Sequence, residues 1–393
     1  LSGIANAPRI TLRQPLHPED TLFLSPHKSL LARGRIASLT EPAGDGHLAS
    51  STFQLRLQQL FEQARHAGVE NPIVVGAIPF DKSQPSALYA PAEYHWLDRT
   101  AIAAAPAAAQ TLAQGARRLQ PDHDEFCRMV SAALRQLKRD ELQKVVLSRL
   151  LHIELPQPQS ALRLWQRLNR QNPASYNFHL PLADGVLIGA SPELLLRKRG
   201  ERIDSMPLAG SARRSADAAQ DMRLRAALLA SRKDRHEHQI VADAIRRQLA
   251  ERCRSLTLPE PELISTPTLW HLATRVQGCV RHPQENALSL ACLLHPTPAL
   301  CGAPCRHAHA LIQRLEPFRR GWFGGIVGWC NAQGDGEWVV TIRCGHIQPQ
   351  RITLFAGAGI VPDSQPENEW YETGVKLGTM LQALGCAQLQ EAS

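Results

Sequence analysis

Apolar residues recur along this chain in two rhythms, and each rhythm predicts a class of element. Leu22-Phe23-Leu24 and Pro72-Ile73-Val74-Val75-Gly76-Ala77-Ile78 are short continuous apolar runs that predict strands, with a helix over Phe53 to Ala67 between them. Asp122-His123-Asp124-Glu125 has the layout of a capping box. Phe126, Met129, Val130, Ala133, Leu134 and Leu137 then follow at helical spacing, so a helix is expected that ends before Lys144. From Lys144 onward strand patterns dominate, over Lys144 to Leu155, Tyr176 to Leu182, Val186 to Ile188, Gly324 to Cys330, Trp338 to Cys344 and Arg351 to Ala356. Several are joined by short turns such as Asn331-Ala332-Gln333-Gly334-Asp335-Gly336, which favours antiparallel pairing over crossover helices. A long helix is predicted from Asp221 to Cys253, with Leu224, Leu228, Ile240, Val241, Ile245 and Leu249 on its apolar stripe. The pattern reads as α+β, with large, mostly antiparallel sheets covered by helices.

One segment departs from both rhythms. Thr100 to Arg118 opens on Ala-Ile-Ala-Ala-Ala-Pro-Ala-Ala-Ala, where Pro106 interrupts the helix-forming alanines and large apolar anchors are few; an exposed, variable connection is expected. At 393 residues and 44% hydrophobic, the chain can bury a large core, and its length suits two or three domains or one unusually large one. The net charge of +8 is spread along the chain in short pairs, Arg213-Arg214, Arg246-Arg247 and Arg319-Arg320. That distribution gives a mild preference for anions. With 5% aromatic residues and no nucleic-acid motif, it argues against a polyanion-binding protein without catalysis. No apolar stretch is long enough for a membrane span and the first residues lack a signal-peptide layout, so a cytoplasmic protein is expected.

Nine irregularly spaced cysteines point to reduced thiols. Cys301, Cys305, His307 and His309 could supply four zinc ligands, but no loop separates the two pairs, and a Cys- and His-bearing loop is the expectation. Carboxylates offer stronger chemistry. Asp234 and Glu237 lie three residues apart on one face of a predicted helix, and Glu369 and Glu372 repeat that spacing near the C-terminus. Two such pairs could enclose a hard divalent cation, and all-oxygen ligation with room for water points to Mg2+. Ala356-Gly357-Ala358-Gly359-Ile360-Val361 follows a predicted strand, so its backbone could approach an anion closely. Arg343, on the neighbouring predicted strand, would be a planar holder of a carboxylate. Lys144 and Glu193 are surface residues on the ordinary expectation, or a base and an acid if burial desolvates them.

These segments, taken in order, resemble the chorismate-utilising enzymes, and within them the isochorismate synthases of catechol-siderophore biosynthesis. The resemblance rests on Lys144-Val-Val-Leu-Ser-Arg, Gly189-Ala-Ser-Pro-Glu193-Leu-Leu, Pro207-Leu-Ala-Gly-Ser211-Ala-Arg-Arg, Lys233-Asp-Arg-His-Glu237-His and Thr268-Leu-Trp-His271-Leu-Ala-Thr. It continues through His295-Pro-Thr-Pro-Ala299-Leu300, Phe323-Gly-Gly-Ile-Val-Gly, Thr341-Ile-Arg343 and Ala356-Gly-Ala-Gly359-Ile-Val with Glu369, Glu372 and Lys376 beyond it. It implies one large domain over about 18–385, with an N-terminal half to residue 120, a catalytic half from 121 and tails at 1–17 and 386–393. The implied fold is two large, mostly antiparallel sheets packed as a sandwich and flanked by helices.

The implied reaction is the Mg2+-dependent, reversible conversion of chorismate to isochorismate. Lys144, as a neutral amine, matches the general base that activates water for attack at C2, and Glu193 the general acid that protonates the departing C4 hydroxyl. Glu237 and Glu372 match the magnesium ligands, and Asp234 and Glu369 the positions that hold its waters; Asp234, where much of the family has Glu, reaches less far. Gly210, Ser211, His271, Ala299, Leu300, Phe323, Arg343, Gly357, Gly359 and Lys376 match substrate-pocket positions. Ala209 stands where aminodeoxychorismate-forming relatives carry a lysine, so no glutaminase subunit is expected, and a monomer is. Salicylate synthases and menaquinone-type isochorismate synthases are the nearest rivals.

Overall fold

The computed structural model describes residues 15–102, 115–139, 142–386 and 389. Most of the Ala-rich connection and of the two tails lies outside them. A ten-stranded sheet runs in the order Gly302–Ala303, Lys144–Glu154, Arg351–Ile360, Cys344–Gln348, Gly185–Ser191, Tyr176–Leu182, Thr21–Leu24, Ser29–Arg33 and Glu93–Leu97, with Arg117–Gln120 also paired to Lys144–Glu154. A nine-stranded sheet runs Cys253–Thr257, Val276–Val280, Arg202–Met206, Leu194–Arg199, Gly336–Val340, Ile326–Asn331, Ile73–Ile78, Ala87–Ala90 and Ala37–Leu39. The pairings are antiparallel throughout. Each sheet takes strands from both halves of the chain.

Alternation along the strands decides the layers. Phe23, Leu30, Phe178 and Leu187 of the larger sheet share one buried cluster with Ile78, Leu196, Ile203 and Trp338 of the smaller, which makes the two sheets a sandwich. The opposite face of the larger sheet, with Leu22, Leu24, Leu151 and Ile352, packs under the helices Ala161–Gln171 and Pro366–Leu384 through Trp165, Leu168, Leu377 and Leu381. A third sheet of three strands, Leu208–Arg213, Leu269–Ala273 and Glu262–Ser265, was not anticipated.

Four expectations change. The predicted helix over Asp221 to Cys253 is two helices, Ala218–Ala230 and Arg232–Ala250, because Ser231 leaves the helical region and its hydroxyl accepts from the Asp234 amide, capping the second helix. The predicted strand over Trp338 to Cys344 divides at Arg343, whose φ of 50° interrupts the ladder. The glycine segment expected after a strand is itself strand: Arg351–Ile360 pairs continuously with Lys144–Glu154, with Gly357 opposite Ser148 and Gly359 opposite Val146. The expected Cys- and His-bearing loop holds the helix Cys305–Leu315, with Cys301 Sγ 3.4 Å from Cys305 Sγ and His309 stacked on Phe80.

Two buried arginines fix what surrounds the Lys144 strand. Arg149 on that strand donates to Thr373 Oγ1 at 2.7 Å and to the Trp370 carbonyl at 3.1 Å, and its guanidinium lies 3.3 Å from the Trp370 ring centre, so the C-terminal helix is held in register with the strand. Arg320 pairs with Glu316 at 2.6 Å and donates to the carbonyls of Val146 and Leu300, while Glu316 accepts from the Ser148 amide. Glu316→Ala leaves the Arg320 charge buried and without its partner. It is expected to lower the unfolding free energy by about 3–5 kcal/mol, measured by urea denaturation.

Candidate active site

Lys144 opens its strand with no exposed surface, and its Nζ lies 2.8 Å from Oε1 of Glu237 on the helix Arg232–Ala250. The contact is one of charge; no acceptor among the described residues meets this nitrogen at hydrogen-bonding geometry. The strand between them makes the approach possible. A Cβ at Gly359 would stand 2.0 Å from Glu237 Oε1 and 2.8 Å from Lys144 Cε, so any side chain there would separate the pair. Gly210, at φ +79°, gives the same helix room at Asp234, whose Cβ would lie 2.9 Å from an added Cβ.

The C-terminal helix brings the other acidic pair. Lys233 Nζ meets Glu369 Oε1 at 2.6 Å; Lys376 Nζ meets Glu372 Oε1 at 2.6 Å and donates to the Gly357 carbonyl at 2.8 Å; and Ser211 donates to Glu372 at 3.2 Å. Three lysines thus stand against the four acids Asp234, Glu237, Glu369 and Glu372, leaving one acid in excess. Burial, then the Glu372 charge, pushes the Glu369 carboxyl up to about 7 against the pull of Lys233. Glu372 also loses water, but the lysines at 376 and 233 outweigh that loss and hold it below the usual carboxylate range. Burial raises Asp234 despite its hydrogen bond from Ser231. Among the described residues the buried Glu369 Oε2 has no hydrogen-bond partner, and no three of these carboxylates bring oxygens within 4.8 Å of one another. An excess of buried acid with an orphaned oxygen suits a hard cation.

Beside these acids lies a narrow cavity of about 50 Å³. All the substrate-pocket positions anticipated from the sequence line it, from Gly210 and Ser211 through His271, Ala299, Leu300, Phe323 and Arg343 to Gly357, Gly359 and Lys376, together with Glu193 and Glu237. Lys144, Asp234, Glu369 and Glu372 stand behind this wall. Glu193 sits in the break between Gly185–Ser191 and Leu194–Arg199, 2% exposed. Burial pushes its carboxyl up to about 7, opposed by the Leu208 amide and by the charges of Lys144, Arg343 and Lys376. Arg343 is the one non-glycine among the described residues at positive φ, a strain of roughly 1–3 kcal/mol. Burial lowers its pKa to about 10, so it stays a cation at neutral pH, and its guanidinium has no hydrogen bond or ion pair among the described residues. Burial, reinforced by Arg343 and Lys376, drives His271 well below its usual range, and the Nε2 of this neutral ring has no partner among the described residues.

Sequence reading missed three contributors. Lys233 and Arg149 lie inside family motifs without an assigned role, and Arg320 is half of one of the short basic pairs. A larger cleft of about 640 Å³, lined by Tyr176, Arg197, Asp204 and Arg275 among others, contains none of the anticipated site residues, so chemistry and not volume selects the smaller cavity. Cys301, Cys305, His307 and His309 form no metal-ligand group among the described residues.

The chorismate binding enzyme profile matches residues 82–385. Isochorismate synthase EntC of Escherichia coli strain K12 is 51% identical over 375 residues, covering 94% of this chain and 96% of that one. Isochorismate synthase DhbC of Bacillus subtilis is 41% identical over 376 residues, covering 94% of each chain. The crystal structure of DhbC from Bacillus anthracis superposes with a TM-score of 0.87 at 38% identity, over 95% of this chain and 98% of that one. Anthranilate synthase component I of Streptococcus pneumoniae, at 21% identity and a TM-score of 0.73 over 97% and 95% of the two chains, shares the fold.

The raised Glu193 carboxyl has a spectroscopic consequence. In metal-free protein it is protonated below about pH 7 and ionised above, so infrared difference spectra between pH 6 and pH 8 should lose a carboxylic-acid carbonyl band. Glu337 and Glu369 are also pushed up to about 7, so the Glu193 contribution is the part of that band missing from Glu193→Gln.

Proposed function

The chain belongs to the chorismate binding enzyme family, and from that premise we propose that it is an isochorismate synthase, a hydroxymutase that exchanges the C4 hydroxyl of chorismate for one at C2. The observation that carries the residue assignments is a buried lysine and a buried glutamic acid raised to about 7 at one cavity whose arginine has no partner among the described residues. Arg343 and Lys376 bind the carboxylates of a dianionic ring substrate, and Leu300 and Phe323, stacked on Phe355 at 5.3 Å, give the ring an apolar bed. Lys144 Nζ, as the neutral amine, takes a proton from water as the water oxygen bonds to C2. The ammonium so formed sits 2.8 Å from the Glu237 carboxylate, which stabilises it. The ring double bonds shift, the C4–O bond breaks, and Glu193 supplies the proton with which that oxygen leaves as water. One water enters and one leaves, so the reaction is reversible and the two residues exchange roles in reverse.

Glu237 and Glu372 would hold Mg2+, with Asp234 and Glu369 holding its waters. Bound there, the ion supplies positive charge to the ring carboxylate and offsets the excess acid. Ala209 offers no lysine at the cavity wall, so water and not ammonia is the nucleophile and no glutaminase subunit is required. We read residues 18–385 as one chorismate-binding domain of a cytoplasmic monomer; no helix among the described residues is long and apolar enough to cross a membrane. We read the product as that of the first committed step toward 2,3-dihydroxybenzoate and a catechol siderophore, a reading supported by the likeness to a 2,3-dihydroxybenzoate-specific isochorismate synthase.

Product analysis after incubation with chorismate and magnesium tests the reading: isochorismate supports it, whereas salicylate with pyruvate, or no conversion, overturns it. Lys144→Ala and Glu193→Gln should each lower turnover by roughly a hundredfold or more with much smaller changes in substrate binding, in both directions. A Lys144→Ala protein that converts isochorismate to chorismate at the normal rate would refute the assignment.

A further inference from the structure

Away from the cavity, three side chains of metal-ligand type meet where two helices begin. His123 and Cys127, four residues apart on the helix His123–Leu137, face the same way, and Glu367 reaches them from the first turn of Pro366–Leu384. Their ligand atoms lie within 4.8 Å of one another, the one such group among the described residues. His123 Nε2 is 2.8 Å from Glu367 Oε2, Cys127 Sγ is 3.7 Å from that nitrogen, and Cys127 Sγ is 3.6 Å from Glu367 Oε1. Tetrahedral zinc, with bonds of about 2.0 Å to nitrogen and oxygen and 2.3 Å to sulfur, sets ligand atoms about 3.3–3.6 Å apart. The Cys127–Glu367 contact has that length and the Cys127–His123 contact is just longer. The nitrogen and the sulfur meet different oxygens of Glu367, so a small turn of that carboxylate and an opening of the His123–Glu367 contact by about half an ångström would set one oxygen, the nitrogen and the sulfur around an ion.

A second feature prepares the histidine. Asp124 Oδ1 lies 3.0 Å from His123 Nδ1, the position from which a carboxylate fixes a liganding imidazole with its proton on Nδ1 and its lone pair on Nε2. Exposure of His123 and Glu367, at 44% and 72% of their side chains, leaves an entry path and room for water as a fourth ligand.

We propose that His123, Cys127 and Glu367 form a site for a borderline divalent metal of the Zn2+ type, with Asp124 supporting it, distinct in place and chemistry from the all-oxygen site. A thiolate and an imidazole select such an ion over magnesium. Binding releases the Cys127 thiol proton and the proton shared between His123 and Glu367. The ion would tie the helix His123–Leu137 to the first turn of the helix that carries Glu369 and Glu372, and so brace the acidic pair from outside the cavity.

The test uses the full chain, stripped of metal and held in saturating magnesium, titrated with Co2+ as a spectroscopic probe and then with Zn2+. One equivalent of Co2+ should bind and give sulfur-to-cobalt charge transfer with intense tetrahedral visible bands, and one equivalent of Zn2+ should displace it. Trp370, 5.2 Å from the His123 ring, should lose fluorescence as Co2+ binds. Cys127→Ser should abolish the charge-transfer band while turnover in magnesium persists, and Asp124→Asn should weaken Zn2+ binding by about 10–100-fold. If the three side chains are only an ion-pair bridge between helices, no saturable binding appears; if the band survives in Cys127→Ser, the thiol is another cysteine. Either result overturns the proposal.

Discussion

The contact of the fully buried Lys144 with Glu237 is the constraint to which the rest of the site conforms: Lys144 acts as a neutral amine, and the carboxylate stabilises the ammonium it becomes on taking a proton. Placing two charges out of water costs several kcal/mol each, and only close approach offsets it. The 2.8 Å approach requires the helix Arg232–Ala250 to reach the ends of the Lys144–Glu154 and Arg351–Ile360 strands, and it requires position 359 to carry no side chain. The helix start at Ser231, the ladder that puts Gly359 opposite Val146, and Gly210 beneath Asp234 all serve the same approach.

Charge balance extends the constraint across the cavity. Each lysine near the site has a carboxylate within 2.8 Å, and one acid is left over. The acid nearest the substrate space, Glu193, keeps a proton near neutral pH because burial outweighs three nearby cations. Acid and base are therefore distinguished by surroundings: Glu193 by desolvation, Lys144 by a carboxylate ready to stabilise the ammonium it becomes. Arg149 and Arg320 keep the frame stiff, one tying the C-terminal helix to the Lys144 strand and the other tying that strand to the Leu300 turn.

Much of this was legible from residue order because most strands and helices carry a clean rhythm. Tyr176 to Leu182 was placed to the residue, and the helix after Asp122 begins at its expected cap. The residues drawn from the family resemblance line one cavity or stand directly behind it. What escaped has physical causes. Neither glycine nor proline stands between Asp221 and Cys253, so no breaker residue reveals that the backbone turns at Ser231. Nothing in Thr341-Ile342-Arg343 announces a left-handed arginine, since that conformation is imposed by the neighbouring strands. Arg320 carries no signal beyond a short basic pair because its acceptors, Val146 and Leu300, are distant in sequence. The short third sheet joins a local hairpin, Glu262–Ser265 with Leu269–Ala273, to Leu208–Arg213, a pairing across a long separation that no local pattern encodes.

The central chemical claim is that solvent water supplies the new hydroxyl while the old one departs. Conversion of chorismate in water enriched in heavy oxygen, followed by mass spectrometry of the isochorismate before the reverse reaction accumulates, tests it most directly. Water attack at C2 with loss of the C4 hydroxyl predicts one heavy oxygen per product molecule, located at the C2 hydroxyl. Product carrying only the original light oxygen would mean that the hydroxyl migrates within the molecule, and would contradict the roles given to Lys144 and Glu193.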